Sequence, residues 1–240
     1  MKSNPFSVAE LLTWINHRLS KSIVEEWPFR HVLVENFLPP IFFDHLVRNL
    51  PRLSAYDRPE SQGTHPAGER AVISLCTAKR TAATSNFALS SLAELSESRE
   101  FSQLFTELLL GSSQLPLAHS PQGFLSRDFP PYEIGPHTDI PKRLVSAILY
   151  IGEKDQRHSW GTTLFVPINP EFRCRNGSHY DFQGFRPVRS LEFRANRLFA
   201  FPRSDISFHG LMPMPRSVSS RDTWLYEVVK DETGRMPGAK

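Results

Sequence analysis

The chain has 240 residues, of which 40% are hydrophobic and 18 are Phe, and this is enough apolar material for a domain with a buried core. A formal charge of +3 without a dense cluster of Lys and Arg argues against nucleic acid as a partner, and two cysteines, Cys76 and Cys174, argue against a disulfide framework. No run is apolar over the length that spans a bilayer, so we expect a soluble, cytoplasmic protein without a membrane partner.

Residues 1–115 are predicted to be mainly helical. Apolar side chains recur at helical spacing in four stretches, 8–19, 43–50, 87–95 and 101–108. Ser7 is placed to cap the first helix, and Gly111 is placed to end the last. A short extended run covers His31–Val34, and the polar segment 53–72 is predicted to be a long loop.

After Pro116 the pattern changes to short β-prone runs separated by turns. Eight such runs suit a double-stranded β-helix, or jelly roll, with the first-half helices covering one face of its larger sheet. The predicted fold is therefore mainly β with flanking helices, in a single domain of residues 1–240. Residues 1–115 form its helical buttress and 116–230 its jelly-roll core. The runs are Gly123–Phe129, Tyr132–Pro136, Leu144–Ile151, Thr162–Ile168, Val188–Arg194, Arg197–Phe201, Ser207–Met212 and Asp222–Val229.

The triplet His137-Thr138-Asp139 lies between two of these strands. Residues i and i+2 of a strand point to the same side, so one imidazole and one carboxylate converge on one point. A second imidazole from a distant strand would complete a facial triad of the kind that binds Fe(II) and leaves positions open. His209, which is 72 residues further along the chain, is the candidate for that third ligand.

A second triplet of the same type, His179-Tyr180-Asp181, competes with the first. It lies in a polar, Gly-containing stretch without a strand pattern, and it precedes His209 by only 30 residues. The first triplet is therefore preferred, because its distance from His209 leaves room for the intervening strands.

Arg221 is the candidate anchor for a carboxylate, since a guanidinium can bind that group through two hydrogen bonds. It lies 12 residues after His209, and a turn over 214–219 would bring its strand back beside the His209 strand. Thr223 shares the same strand face and could bind the same carboxylate. Arg216 is the competing anchor, although it falls in the predicted turn. A surface ion pair is the alternative role for Arg221.

Taken in order, several pieces of the second half resemble the Fe(II)/2-oxoglutarate-dependent oxygenase superfamily, in its prolyl-hydroxylase-like branch. The resemblance covers about residues 116–230. Trp160-Gly161 stands where such members usually have a double Gly, and the presence of Asp139 favours hydroxylation over halogenation. The pieces are Tyr132–Asp139, Leu144–Ile151, Gly161–Leu164, Asn196–Phe201, His209-Gly210 and Arg221–Thr223.

The resemblance implies Fe(II) held by His137, Asp139 and His209, with 2-oxoglutarate as co-substrate anchored by Arg221 and Thr223. Oxygen would be consumed, succinate would be released, and ascorbate could serve as reductant. Tyr132, Ser146 and Tyr150 are candidates for further contacts with the co-substrate, with packing inside the sheet as the alternative role.

The insert 171–189 is predicted to be a lid or binding loop over the site. Its arginines favour an anionic small molecule as substrate, with a solvated basic loop as the alternative. Hydroxylation of a protein side chain and a non-catalytic jelly-roll module that binds a metal or ligand remain open, as does the oligomeric state. The polar residues of this insert are Arg173, Arg175, His179, Tyr180, Arg186 and Arg189.

Overall fold

Four α-helices and two antiparallel sheets make up most of the computed structural model, which describes residues 6–57, 68–75, 86–111, 119–152, 157–158 and 160–230. Cys76 and residues 58–67 of the predicted loop over 53–72 lie outside the described residues. None of the helices in these ranges is both long and apolar enough to cross a membrane. The helices are α1 (Val8–Ser20), α2 (Pro40–Arg48), α3 (Phe87–Glu97) and α4 (Arg99–Leu110).

The ends of the first and last helices follow the sequence signals. The Ser7 side chain accepts a hydrogen bond from the backbone N–H of Glu10, and the Glu10 carboxylate accepts one from the Ser7 backbone. Helix α4 ends at Gly111, whose φ of 65° is the left-handed conformation that glycine adopts at no steric cost. Both helix limits predicted from the sequence are confirmed.

The larger sheet has seven strands in the order β1-β2-β11-β6-β13-β4-β3, and the smaller has four in the order β5-β12-β8-β9. From β4 to β13, successive strands of the two sheets alternate between them, except for the hairpin β8–β9. A separate pair is formed by β7 and β10. The bounds are β1 Val24–Glu25, β2 His31–Val34, β3 Arg70–Ser74, β4 His119–Asp128, β5 Ile134–His137, β6 Arg143–Ile151, β7 Arg157–His158, β8 Thr163–Pro167, β9 Phe185–Ser190, β10 Phe193–Arg194, β11 Leu198–Pro202, β12 His209–Leu211 and β13 Arg221–Lys230.

The two faces of the larger sheet bury different partners. On one face, Trp224 and Tyr226 of β13 contact Phe101 of α4, and the Trp224 and Phe101 rings stack with centroids 5.7 Å apart. On the other face, Phe199 and its neighbours pack against Leu164 of the smaller sheet. The helices thus cover the outside of the larger sheet, as predicted, and the space between the sheets is left for the site.

The first half contributes strands as well as helices. The first three residues of strand β3 fall in the segment predicted to be a loop, and the strand pairs along its whole length with β4 at one edge of the larger sheet. Strands β1 and β2 extend the other edge, next to β11. The prediction of a loop over 70–72 was therefore wrong. The backbone partners of β3 lie in β4, 50 to 58 residues further along the chain, and local composition does not indicate such pairing.

Candidate metal centre

His137 is the last residue of β5, and Asp139 follows it as the chain leaves the smaller sheet. Nδ1 of His137 lies 3.0 Å from the carbonyl oxygen of Gly135. A carbonyl oxygen can only accept a hydrogen bond, so Nδ1 carries the proton and donates it. The lone pair of the ring is therefore on Nε2, which is the nitrogen left for a metal ion.

His209 begins β12 and lies directly opposite His137 in the antiparallel pairing of β12 with β5. The centroids of the two rings are 4.3 Å apart. Nδ1 of His209 lies 3.0 Å from the carbonyl oxygen of Ser207, which selects the same tautomer as in His137. Two neighbouring strands thus present two imidazoles, each with Nε2 unprotonated.

His137, Asp139 and His209 are buried, and each offers a ligand atom within 4.8 Å of those of the other two. No other group of three or more His, Cys, Asp or Glu side chains with this spacing occurs in the part of the chain that the structure describes. Two neutral imidazoles and one carboxylate are the donor set of non-haem Fe(II) sites with open positions. The residues present therefore fit a divalent metal ion.

Two side chains hold the Asp139 carboxylate. Ser146 Oγ donates to Oδ2 at 2.6 Å, and Arg143 Nη1 donates to Oδ1 at 2.5 Å. Arg143 also reaches Glu227, with Nη2 2.6 Å from Oε1. Burial raises the pKa of Asp139, but the Arg143 guanidinium, together with the hydrogen bond from Ser146, outweighs it and lowers that pKa to about 2. Asp139 is thus ionised at neutral pH, as a metal ligand must be.

The two imidazoles are neutral in the same environment. Burial lowers the pKa of His137 well below its ordinary value, and the neighbouring His209 and His179 lower it further. Burial also lowers the pKa of His209, against the opposing effect of Asp139. A neutral imidazole is the form that binds a metal, so no proton has to leave either ring at neutral pH.

The second His-x-acid triplet does not form a metal group. His179 stacks on His137, with the rings parallel to within 3° and their centroids 4.1 Å apart, while Asp181 is exposed. His179 nevertheless lines the same cavity as His137. The structure thus brings His137 and Asp139 together with His209, and it leaves Asp181 away from them.

A cavity of about 240 Å³ lies between the two sheets. Its lining includes all three residues of the metal group and, in addition, Arg143, Arg221 and Arg70. Asp139 and Glu227 line the cavity as well, and both pair with Arg143. The arginines left for an anionic ligand are therefore Arg70 and Arg221.

Arg221 lines this cavity from a strand in the larger sheet. We expected its strand to lie beside the His209 strand, and that placement was wrong, since β13 pairs with β4 and β6. The segment over 214–219 carries the chain across from the smaller sheet to the larger one. Arg216, the competing anchor, is exposed.

Arg221 and Thr223 present unused polar atoms. Arg221 Nη1 donates to Oδ2 of the buried Asp128 at 2.8 Å. Nε of Arg221 and Oγ1 of Thr223 are buried and have no hydrogen-bond partner among the described residues. Buried donors without partners are costly, so these two atoms fit a carboxylate supplied by a ligand.

The other predicted contacts have protein partners of their own. Ser146 binds Asp139, as described above. The Tyr150 hydroxyl donates to Thr162 Oγ1 at 2.9 Å and accepts from the Thr162 N–H at 3.0 Å, which links the two sheets. The ring of the buried Tyr132 lies under the Arg70 guanidinium, 4.5 Å from its Cζ.

Arg70 and Asp128 are site residues that the sequence did not indicate. Arg70 binds Asp128 through Nε, 2.6 Å from Oδ1, and Nη2, 3.2 Å from Oδ2. Arg70 shares Asp128 with Arg221, so a second arginine lies close to the candidate anchor. For Asp128 the sequence held one indication, because it lies two residues after Ser126 in a predicted strand and therefore on the same face as Ser126 and Phe124. Arg70 had none, because it lies in a segment without a strand pattern.

The insert 171–189 is tied to the body of the protein by backbone contacts. The Cys174 carbonyl accepts from Thr138 Oγ1 at 3.0 Å, and the Tyr180 N–H donates to the Pro136 carbonyl at 3.0 Å. Phe172, Tyr180, Phe182 and Phe185 pack with Phe165 and Phe208 of the smaller sheet. Gly177 and His179 are its residues in the cavity lining, so the insert forms a wall of the cavity.

Most arginines of the insert have partners away from the cavity. Arg189 pairs with Glu25 at 2.5 Å, Arg175 approaches Asp205 at 3.6 Å, and Arg173 donates to the Pro170 carbonyl at 2.7 Å. Arg186 is exposed. Recognition of an anionic substrate by these residues stays a prediction.

Comparison of the sequence with protein-family models and with curated proteins gives no match. Solved structures do match the fold. The non-haem α-ketoglutarate-dependent epimerase SnoN from nogalamycin biosynthesis superposes with a TM-score of 0.54 at 13% identity, over 95% of this chain and 90% of that one. HygX from Streptomyces hygroscopicus, with nickel, 2-oxoglutarate and hygromycin B bound, gives 0.54 at 8% identity, over 84% of this chain and 83% of that one. The chain therefore shares its fold with these two proteins.

Proposed function

We propose that the protein is an Fe(II)- and 2-oxoglutarate-dependent oxygenase that hydroxylates an unactivated C–H bond of a small molecule. One observation carries the proposal: the three candidate metal ligands share a cavity with Arg221, whose Nε is buried and unpaired among the described residues. Iron and 2-oxoglutarate together supply the oxidant, using O2 and releasing succinate and CO2. A protein that only holds a metal has no use for the unpaired donors of Arg221 and Thr223.

Backbone and side-chain groups of the protein would orient the three ligands of the metal. The carbonyl oxygens of Gly135 and Ser207 fix the tautomers and the ring orientations of His137 and His209. Ser146 and Arg143 fix the orientation of the Asp139 carboxylate. Such outer contacts would hold these three side chains in the orientation in which they could bind a metal ion.

Arg221 and Thr223 are proposed to bind the far carboxylate of 2-oxoglutarate. Arg221 is buried and binds Asp128 through Nη1 only, so its Nε–H is left to bind a ligand. Thr223 offers a hydroxyl on the same face of β13. A carboxylate held by a guanidinium and a hydroxyl in a buried site is well matched in charge and geometry. The 2-oxoglutarate bound in HygX, which has the same fold, supports 2-oxoglutarate as the co-substrate.

The proposal includes a jelly-roll topology for the two sheets. The alternation of strands between them, with β8–β9 as the hairpin, is the pattern that this topology requires. The metal group then lies where β5 and β12 are paired, between the two sheets of the jelly roll.

A small-molecule substrate is favoured over a protein side chain because HygX has hygromycin B bound and SnoN belongs to nogalamycin biosynthesis. The likeness to an epimerase makes epimerisation of a small molecule at the same site the second candidate. An anionic substrate, the cytoplasmic location and the lack of a nucleic-acid or membrane partner stay predictions from the sequence.

The test is anaerobic addition of Fe(II) and then 2-oxoglutarate to the full chain. We expect the visible charge-transfer band of a chelated keto acid. Admitting oxygen in the presence of ascorbate should then yield succinate even without substrate. A protein that shows neither the band nor succinate is a binding module, and the proposal fails.

The matched controls are Asp139→Ala and Asp181→Ala, each of which removes the carboxylate of a His-x-acid triplet. Asp139→Ala should lose the band and the tight binding of Fe(II), while Asp181→Ala should keep both. Mass spectrometry of a turned-over substrate separates hydroxylation, which adds one oxygen atom, from epimerisation, which leaves the mass unchanged.

A further inference from the structure

Arg70, Asp128 and Arg221 form one row across three neighbouring strands of the larger sheet. Asp128 of β4 is directly opposite Arg70 of β3 on one side and Arg221 of β13 on the other. We call this row the arginine–aspartate–arginine row. Asp128 is fully buried, and both arginines line the cavity that contains the metal group.

Arg70 donates more hydrogen bonds to the Asp128 carboxylate than Arg221 does. It donates from Nε to Oδ1 and from Nη2 to Oδ2, while Arg221 donates from Nη1 to Oδ2 alone. Ser126 Oγ adds a fourth donor, 3.1 Å from Oδ1. These four hydrogen bonds use the accepting capacity of the Asp128 carboxylate, so the remaining donors of Arg221 are not needed there.

The charges of the row decide whether Arg221 can bind an anion. Burial raises the pKa of Asp128, but Arg70 and Arg221 outweigh it and hold that pKa below its ordinary value, so Asp128 is ionised at neutral pH. Asp128 and Arg221 alone would form a neutral pair with little affinity for a further carboxylate. Arg70 adds a second positive charge, so the three side chains together carry one net positive charge beside the cavity.

We propose that Arg70 is a positioning residue for the co-substrate: by pairing with Asp128 it keeps Arg221 free to bind the distal carboxylate of a dicarboxylic keto acid. The inference rests on the proposed function and extends it to a residue from the edge strand β3. Tyr132 holds Arg70 in place, since the guanidinium lies over its ring. Direct contact between Arg70 and the co-substrate is the competing role, because Arg70 also lines the cavity.

The test compares two keto acids on the full chain loaded with Ni(II), which is redox-inert here. Isothermal titration gives the affinity for 2-oxoglutarate and for 2-oxopentanoate, which has the same carbon chain without the distal carboxylate. In Arg70→Gln the row is neutral, so 2-oxoglutarate should bind about tenfold more weakly, or about 1.4 kcal/mol. Binding of 2-oxopentanoate and of Ni(II) itself should not change.

The double variant Arg70→Gln/Asp128→Asn separates positioning from direct contact. Removing both charges leaves Arg221 with its full positive charge, so affinity for 2-oxoglutarate should return to within about threefold of the original protein. A double variant as weak as Arg70→Gln would overturn the inference, because Arg70 would then act by contact. If Arg70→Gln alone does not fold, the double variant still gives the measurement, because it leaves no unpaired charge at positions 70 and 128.

The two hypotheses fail in different ways. If the original protein binds neither keto acid with Ni(II), the proposed function fails. If it binds 2-oxoglutarate and Arg70→Gln binds it equally well, the proposed function stands and the role of Arg70 is refuted.

Discussion

His137 and His209 face each other as a register pair of two antiparallel strands. The metal group therefore depends on how closely β12 approaches β5, and not on either strand alone. Gly210, the residue after His209, makes this approach close: a Cβ at that position would lie 2.4 Å from the Ile134 carbonyl oxygen. The backbone oxygen belongs to β5 itself, so it cannot move without moving the strand that carries His137.

Gly210→Ala should consequently weaken metal binding although residue 210 offers no ligand. The added methyl group would force β12 away from β5, and overpacking of this kind costs about 1–3 kcal/mol of stability. We expect the affinity for Ni(II), measured by titration calorimetry, to fall at least about tenfold, because His209 moves relative to His137.

Gly184→Ala is the matched control. No atom lies within 4 Å of a Cβ placed there, so both metal affinity and the urea midpoint should stay as in the original protein. Unchanged metal affinity in Gly210→Ala, with the expected loss of stability, would mean that the pairing of β5 and β12 does not hold the metal group together.

The metal group could be found from the sequence because two of its ligands are two residues apart and the third lies in a recognisable strand at a suitable distance along the chain. The i, i+2 rule places His137 beside Asp139 on any strand end, and a strand pattern around His209 needs only neighbouring residues to be recognised. The choice between the two triplets likewise depended on local strand pattern and on chain length. The structure brings together the three side chains that this reasoning selected.

The surroundings of Arg221 could not be found in the same way. A turn before β13 is compatible with a return to the same sheet or a crossing to the other, and only tertiary packing selects between them. Arg70 is a stronger case, because its partner Asp128 is 58 residues away and its own segment has no periodic pattern. Sequence reasoning thus selected Arg221, the proposed anchor, and missed the charged residues Asp128 and Arg70 that surround it.

Thr223→Val should raise the stability of the ligand-free protein and lower its affinity for 2-oxoglutarate. The hydroxyl of Thr223 is buried without a partner among the described residues, so replacing it with a methyl group of similar size removes a desolvation cost. The same change removes one donor to the co-substrate carboxylate, and we expect 2-oxoglutarate to bind about tenfold more weakly. Thermal unfolding with and without 2-oxoglutarate measures both effects.

Thr106→Val is the control for that substitution. Its hydroxyl is buried in α4 and already donates to backbone carbonyl oxygens, so this variant should lose stability and keep its affinity for 2-oxoglutarate. If Thr223→Val bound 2-oxoglutarate as tightly as the original protein, Thr223 would have no part in the anchor.

His179→Ala and His179→Phe test whether the stacked ring is a ligand or a support. A phenyl ring keeps the stacking on His137 but offers no nitrogen, so His179→Phe should bind Ni(II) within about threefold of the original protein. His179→Ala removes the stacking partner and should bind the metal up to about tenfold more weakly. Loss of metal binding in His179→Phe as complete as in Asp139→Ala would show that His179 is a ligand.

Acidification should destabilise the metal-free protein. Burial lowers the pKa of both His137 and His209 in the folded state, whereas in the unfolded chain each titrates near the ordinary value of about 6.5. Above that pH the rings are neutral in both states and their contribution to stability is complete. As the pH falls below it, the unfolded chain takes up protons that the folded protein cannot accept, and stability decreases. The urea midpoint should therefore fall between about pH 7 and pH 5, and the double variant His137→Gln/His209→Gln should show a shallower decrease. A variant that loses stability as steeply as the original protein would locate the titrating groups elsewhere.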